Sequence, residues 1–398
     1  MRPYLTFLCL LSVLSTWVTY QWGDFYLVDS HEYWESSDLW MGSGVAEDPS
    51  EWTKRPPIYP VLLGIFGVVG TLILQNVLLI FTFYRVVRFL GIHRLSKWQL
   101  RWVYVATALS LNAFLYADKF MAETVSMFLL WMAFESYARK KWLWLMIIVG
   151  TLPFVKPVFL FLPLALLPLI LWKRETRAWS LGLLACAGVS MGYIKLNETR
   201  TGTAEFSSIQ HINALHYNKY QFDVHRFGVD YAAEVNDSIK KKGADLTYPE
   251  RVDLYNSTFI ADVKSAPFEY VWFHLLGAVR GTIDPGRFDL QFLLPTTIEE
   301  GFAHREDGNL WNYLRSLHPA IWLVLLPLAL FNGVRILLGI LGLWMNRANL
   351  NAWFAALIIA YVVAVTGPIN ASRFMVPLVP LLLWLSTTGL NLRKNSQS

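Results

Sequence analysis

Long apolar stretches dominate this chain, in place of the three-and-four spacing of a soluble helix or the alternation of a strand. About 20 apolar helical residues cross a bilayer core, and fewer suffice where the membrane thins. Stretches of that kind cover residues 3–20, 64–84, 101–117, 121–138, 142–155, 157–172, 178–196, 319–344, 351–367 and 373–391. The pattern predicts an all-α polytopic membrane protein with about ten transmembrane helices. Residues 142–155 and 157–172 are short and carry Pro153, Pro157, Pro163 and Pro168. They form either two spans or one kinked hairpin whose freed backbone groups are satisfied inside the bundle.

Two polar stretches interrupt the pattern, residues 21–56 and 197–318. The second is too long for a simple connection, and its later half predicts helices lying near the membrane. Thr247 caps a helix with Pro249 in its first turn, and Val252, Tyr255, Phe259, Ile260 and Val263 line one face. Pro267 opens another with a broad apolar face that includes Phe268, Trp272, Leu275 and Val279. A third covers 229–242, and its Lys240-Lys241-Lys242 run reads as a solvated helix end. The chain thus divides into a transmembrane module over 1–196, a mostly helical segment over 197–318 and C-terminal transmembrane helices over 319–398.

Composition agrees: 55% of residues are hydrophobic and 16% charged, against about 25% charged in soluble domains. Charge placement adds orientation. Residues 21–56 hold 8 acidic and 2 basic side chains, and residues 197–318 hold 17 and 12. The rest of the chain is strongly basic. With the N-terminus inside, Arg85, Arg88, Arg94, Lys97, Arg101, Arg139, Lys140, Lys141, Lys173, Arg174, Arg177, Arg335, Arg347, Arg393 and Lys394 fall on the inner side. Both acidic stretches then face outward. Basic charge dispersed over inner loops disfavours a nucleic-acid partner. Arg2 precedes the first apolar run, but 15–20 offer no small-residue cleavage site, so an uncleaved anchor is expected.

Basic residues on the wrong side of this rule are the informative ones. Lys119, Lys156, Lys195 and Arg373 fall at outer ends of spans, as do the acidic Asp118 and Glu123. In the first outer loop Asp24, Asp29, Glu32, Glu35 and Asp38 precede Arg55-Pro56-Pro57-Ile58-Tyr59-Pro60. The prolines make a stiff lead-in to the second span, and an Arg held there suits a phosphate. The alternatives are structural: Arg55 snorkels beside a proline turn, and Lys156 and Arg373 pair with Asp118 or Glu123 to staple the bundle. Cys9 and Cys186 give no disulfide framework. His31, His211, His216, His225, His274, His304 and His318 show no metal-ligand spacing, so no obligatory metal is expected. Asn197-Glu198-Thr199, Asn236-Asp237-Ser238 and Asn256-Ser257-Thr258 are formal glycosylation triplets.

Asp29-Ser30-His31-Glu32-Tyr33 followed by Arg55-Pro56-Pro57-Ile58-Tyr59-Pro60 resembles the first outer loop of the GT-C superfamily of membrane glycosyltransferases. The branch it is most similar to uses polyprenyl- or dolichyl-phosphate sugars and includes protein O-mannosyltransferases and the aminoarabinose transferase of lipid A. Ala122-Glu123, Lys156-Pro157 and Ser372-Arg373-Phe374-Met375-Val376-Pro377 resemble further short motifs of that family in the same order. Many mannosyltransferase members have adjacent Asp-Glu where this chain has Asp29-Ser30, with Glu32 three residues on. The resemblance implies an inverting transfer of a sugar from a polyisoprenyl-phosphate donor to a glycan, lipid or protein acceptor. It makes Asp29 the general base and Arg55, Lys156 and Arg373 the donor phosphate contacts. Glu32, Tyr33, Tyr59, Asp118 and Glu123 would orient the acceptor or tune Asp29. Some GT-C enzymes use a divalent cation, which no spacing here demands. The implied location is a prokaryotic plasma membrane with the site on its outer, periplasmic face. A transporter or flippase for lipid-linked sugars would instead place ionisable groups near the midplane and show repeated halves. An O-antigen-type polymerase would carry Arg-rich outer loops, and a non-catalytic scaffold would need none of these groups.

Overall fold

The structure, a computed structural model, describes residues 1–172, 174–286, 319–369 and 371–390. Expectations for Lys173, Arg393, Lys394, His304 and His318, and for residues 287–318 of the long polar segment, lie outside the described residues. Every regular element among the described residues is helical. The N-terminal part holds α1 (Arg2–Trp22), α2 (Val28–Met41), α3 (Ile58–Leu90), α4 (Lys97–Ala108), α5 (Leu111–Ala117), α6 (Glu123–Ala138), α7 (Trp142–Val155), α8 (Leu162–Trp172) and α9 (Ser180–Thr201). The polar segment holds α10 (Val229–Ala244), α11 (Tyr248–Ser265) and α12 (Pro267–Ile283), and α13 (Pro319–Met345), α14 (Leu350–Thr366) and α15 (Val379–Gly389) follow.

Among the described residues four stretches are long and apolar enough to cross a membrane: Arg2–Trp22, Ile58–Leu90, Arg174–Thr201 and Leu323–Met345. Trp142–Val155, Pro157–Trp172 and Leu350–Thr366 are shorter apolar helices. The other three expected spans are not single apolar helices of spanning length. Residues 101–117 break at Leu109–Ser110 between α4 and α5. In 121–138, α6 has 16 residues and buries both Glu123 and Glu135. In 373–391, a tight turn over Ser372–Leu378 precedes α15. The exposed faces are apolar, with Val13, Val69, Leu181 and Leu337 each more than half exposed, while Thr71, Gln75 and Asn197 are buried. Water would select the reverse, and a hydrocarbon surrounding selects this arrangement.

The polar segment follows its sequence signals. Glu250 accepts a hydrogen bond from the Thr247 N–H at 3.0 Å, closing a capping box at the start of α11 with Pro249 in its first turn. The Lys run ends α10, and α12 leaves Phe268, Trp272 and Leu275 exposed on one apolar face. Other expectations change. Arg335, assigned from charge to an inner connection, is buried within α13. Asn197 is buried as well, its amide donating to the carbonyls of Glu205 and Phe206 at 3.0 and 3.2 Å. A side chain so engaged is no glycan acceptor.

Close packing of α13 on α15 rests on two glycines. A Cβ at Gly389 would run into the carbonyl of Leu338, and one at Gly342 into the carbonyl of Leu385. Backbone cannot yield as a side chain does, so Gly389→Ala is expected to destabilise the protein by about 1–3 kcal/mol. Gly188, where a Cβ would meet nothing within 4 Å, is the control. Ala there should be neutral or slightly stabilising, because it removes backbone entropy from the unfolded chain. Thermal unfolding of both variants in detergent checks the contrast.

Candidate functional site

Two features of the chain position the site. Arg55 and Lys156 each precede a proline, which disfavours the helical conformation at the residue before it. Both are extended, at φ/ψ −122°/127° and −150°/126°, and both terminate a helical stretch. Asp29 stands in the first turn of α2 and Glu32 one turn on, so their three-residue spacing puts both carboxylates on one helix face.

That face meets Arg55. The guanidinium Nε donates to Glu32 Oε2 at 3.0 Å, and Nη2 lies 3.2 Å from Asp29 Oδ2. The Tyr33 ring sits under the same guanidinium, 4.6 Å from Cζ to centroid. Lys54 Nζ reaches the other oxygen of Glu32 at 3.1 Å. From the far end of the chain, Arg373 Nη1 donates to Asp29 Oδ2 at 2.6 Å. Asp29 is thus held between two guanidiniums more than 300 residues apart in sequence.

Lys156 joins through a different carboxylate. Its ammonium pairs with Glu123 Oε1, and the Phe374 ring lies 4.6 Å from Nζ and 5.2 Å from the Arg373 guanidinium carbon. One ring therefore carries a cation from each group. Glu123 is fully buried, and among the described residues neither its Oε2 nor Arg373 Nε has a partner. These two atoms are the open acceptor and donor of the cluster. Tyr59 is buried behind it, its ring 4.9 Å edge-on from Tyr33 and its hydroxyl donating to Gln75 Oε1 at 2.7 Å.

Electrostatics favour the ionised form of Asp29. Burial pushes its carboxyl up, but Arg373, Arg55 and, more weakly, Lys156 outweigh burial and hold it well below the usual carboxylate range. The four cations Lys54, Arg55, Lys156 and Arg373 face the three carboxylates Asp29, Glu32 and Glu123, leaving a net charge of +1. Such a cluster can take one more negative charge.

Three expected members lie elsewhere. Asp118 is buried in a separate network, accepting from Ser15 at 2.6 Å, Thr16 at 2.7 Å and Asn76 at 3.0 Å. Lys119 donates to the Asp24 carbonyl and ties the 118–122 turn to the first connection. Lys195 pairs with Glu198 on an exposed helix face at 2.8 Å.

One neighbouring arrangement gave no sequence signal. Glu205, fully buried, accepts from Tyr248 at 2.6 Å and from Thr53, and lies 2.9 Å from His211 Nε2. Ser207 and Ser208 donate to the carbonyls of Lys54 and Ser50, each at 2.9 Å. The polar segment thereby clamps the short helix whose C-cap is Arg55. These contacts join residues about 150 apart, which no local spacing displays. Among the described residues no group of three or more His, Cys, Asp or Glu is placed to hold a metal ion. No family model matches this chain, and no curated protein matches it.

Proposed function

We propose that the protein is an integral membrane glycosyltransferase with a GT-C-like bundle of about ten transmembrane helices. It would transfer a sugar from a polyisoprenyl-phosphate donor to a glycan, lipid or protein acceptor at the outer face of a prokaryotic plasma membrane. The observation that carries this reading is the meeting of Asp29, Arg55 and Arg373 at one carboxylate. A base for the acceptor hydroxyl and cations for a phosphate leaving group are the two requirements of the reaction.

Asp29 lies between the two guanidiniums, where an oxygen of the donor phosphate would bind. A donor phosphodiester carries one negative charge, which matches the net +1 of the cluster. On binding it competes for Arg55 and Arg373, frees Asp29 and relieves the field that keeps its proton affinity low. The acceptor oxygen then attacks the anomeric carbon as its proton passes to Asp29. The bond from that carbon to the phosphate oxygen breaks, and the lipid phosphate leaves as a dianion against Arg55, Arg373 and Lys156. A single displacement inverts the anomeric centre. Glu123 Oε2, buried and without a partner among the described residues, is the oxygen that would accept from an acceptor hydroxyl.

Arg55→Ala should weaken donor binding about 10- to 100-fold, the worth of a charge-assisted bond, measured by titration with a polyprenyl-phosphate hexose. Unchanged affinity removes Arg55 from phosphate binding. A transporter for lipid-linked sugars has one observation in its favour, the buried Arg335 near the middle of α13. Movement of the donor across liposomes without any transfer would favour that reading.

A further inference from the structure

Arg55 closes a helix of one turn, Glu51–Lys54, and opens the Pro56-Pro57 lead-in to α3. A single turn fixes more dihedrals than its own hydrogen bonds repay, so its shape is imposed from outside. Beyond Arg55 the two prolines restrain the backbone. Before Arg55 the restraint comes from residues 205–208 of the polar segment.

Ser207 Oγ donates at 2.9 Å to the Lys54 carbonyl, which belongs to the peptide bond entering Arg55. Ser208 donates twice, from its N–H to the Thr53 carbonyl at 3.3 Å and from its hydroxyl to the Ser50 carbonyl at 2.9 Å. The Thr53 hydroxyl has one proton and two acceptors in reach, Glu205 Oε1 and the Ser50 carbonyl at 3.2 Å. The Glu205 contact is the shorter, so the proton goes there. Glu205 is itself held fast. It is fully buried, and its Oε2 takes the Tyr248 hydroxyl at 2.6 Å and lies 2.9 Å from His211 Nε2. The other nitrogen of His211 lies 3.1 Å from Asn256 Oδ1. Tyr248 and Asn256 both stand on α11. A chain of polar side chains thus runs from α11 through Glu205 to the residue next but one to Arg55. Among the described residues no side chain of 205–208 bonds to a charged group of the Asp29 cluster, so their influence on it passes through the backbone of 53–55.

We propose that Glu205 and Ser207 are positioning residues, which hold residues 53–55 so that the Arg55 guanidinium meets a phosphate group. Phosphate affinity at the Asp29 cluster is then set in part by the polar segment, although neither residue touches the ligand. The proposal deepens the transferase reading and rests on its assignment of Arg55 to the donor phosphate. In the proposed donor complex Asp29 would be released from Arg55, leaving Glu32 and this backbone anchor to aim the guanidinium.

The test is a double-mutant cycle on the full chain in detergent, read as affinity for farnesyl phosphate by calorimetry. Thr53→Val removes the bond to Glu205 at nearly constant shape and should weaken binding at least about fivefold, a coupling usual for groups in one network. Thr53→Ser keeps the hydroxyl and should bind as the native chain does. Arg55→Ala should weaken binding about tenfold or more, and adding Thr53→Val to it should then change affinity less than about twofold. A clamp that only stabilises the fold predicts the same loss in both backgrounds. Ser207→Ala in the same cycle should behave as Thr53→Val does, and decides the matter where Thr53→Val fails to fold. Native affinity in the folded Thr53 or Ser207 variant, or an equal loss with and without Arg55, overturns this proposal alone. Unchanged affinity in Arg55→Ala, or no binding by the native chain, removes the phosphate role of Arg55 and the proposal with it.

Discussion

Asp29→Asn is expected to lower turnover by about 10²- to 10⁴-fold, the usual contribution of a general base, while donor binding holds or tightens. The two effects have one cause. The carboxylate contacts both Arg55 and Arg373, so neutralising it would remove the proposed base and also the competitor of the donor phosphate. A merely structural Asp29 would show the opposite pattern, with weaker binding as the cluster loosened. The measurement is donor affinity beside single-turnover rate, and full turnover by the Asn variant removes Asp29 as the base.

The same geometry fixes a pH dependence. The folded carboxyl lies below the unfolded value of about 3.9, so its stabilising contribution is fully present above that value. It is lost only as pH falls through the lower folded value. Asp29 therefore contributes no slope to stability between about pH 5 and 8. In the proposed donor complex the phosphate would share the guanidiniums, and the carboxyl would rise. The acidic limb of kcat should consequently lie at higher pH than that of kcat/KM, since the two report the complex and the free protein respectively.

The local parts of this site were legible because they follow from local rules. Arg55 and Lys156 precede prolines and are extended for that reason. Glu32 stands out of line with an adjacent acidic pair in sequence, yet the helical repeat of α2 carries it to the same cation as Asp29. The cap at Thr247, with Pro249 in the first turn, was readable for the same reason. What failed was depth and partner choice. The charge rule counts a basic residue without knowing its depth, so it placed Arg335 in a connection when it lies within α13. Asp118 and Glu123 are five residues apart and both are carboxylates, but only Glu123 opens a helix facing Lys156, while Asp118 turns toward Ser15, Thr16 and Asn76. The clamp of Glu205 on Thr53 is set by tertiary packing alone.

Lys156→Met should be the most destabilising change at the site. Glu123 is fully buried and Lys156 is its only ion-pair partner among the described residues. Removing one member of a buried pair strands the other, at about 3–5 kcal/mol. Replacing both, with Glu123→Gln and Lys156→Met together, should recover most of that loss, because no unpaired charge then remains buried. Stability alone thus cannot tell a staple from a working group, and turnover does. If the pair only joins α6 to the end of α7, the stable double variant should transfer sugar at the native rate. In the proposed site Lys156 shares the Phe374 ring with Arg373 and faces the departing phosphate. The double variant should then unfold near the native temperature and still lose at least about tenfold in turnover, the worth of one charged contact at the leaving group. Native turnover in a folded double variant would sink the leaving-group role of Lys156 and leave Arg55 and Arg373 as the only cations for the phosphate.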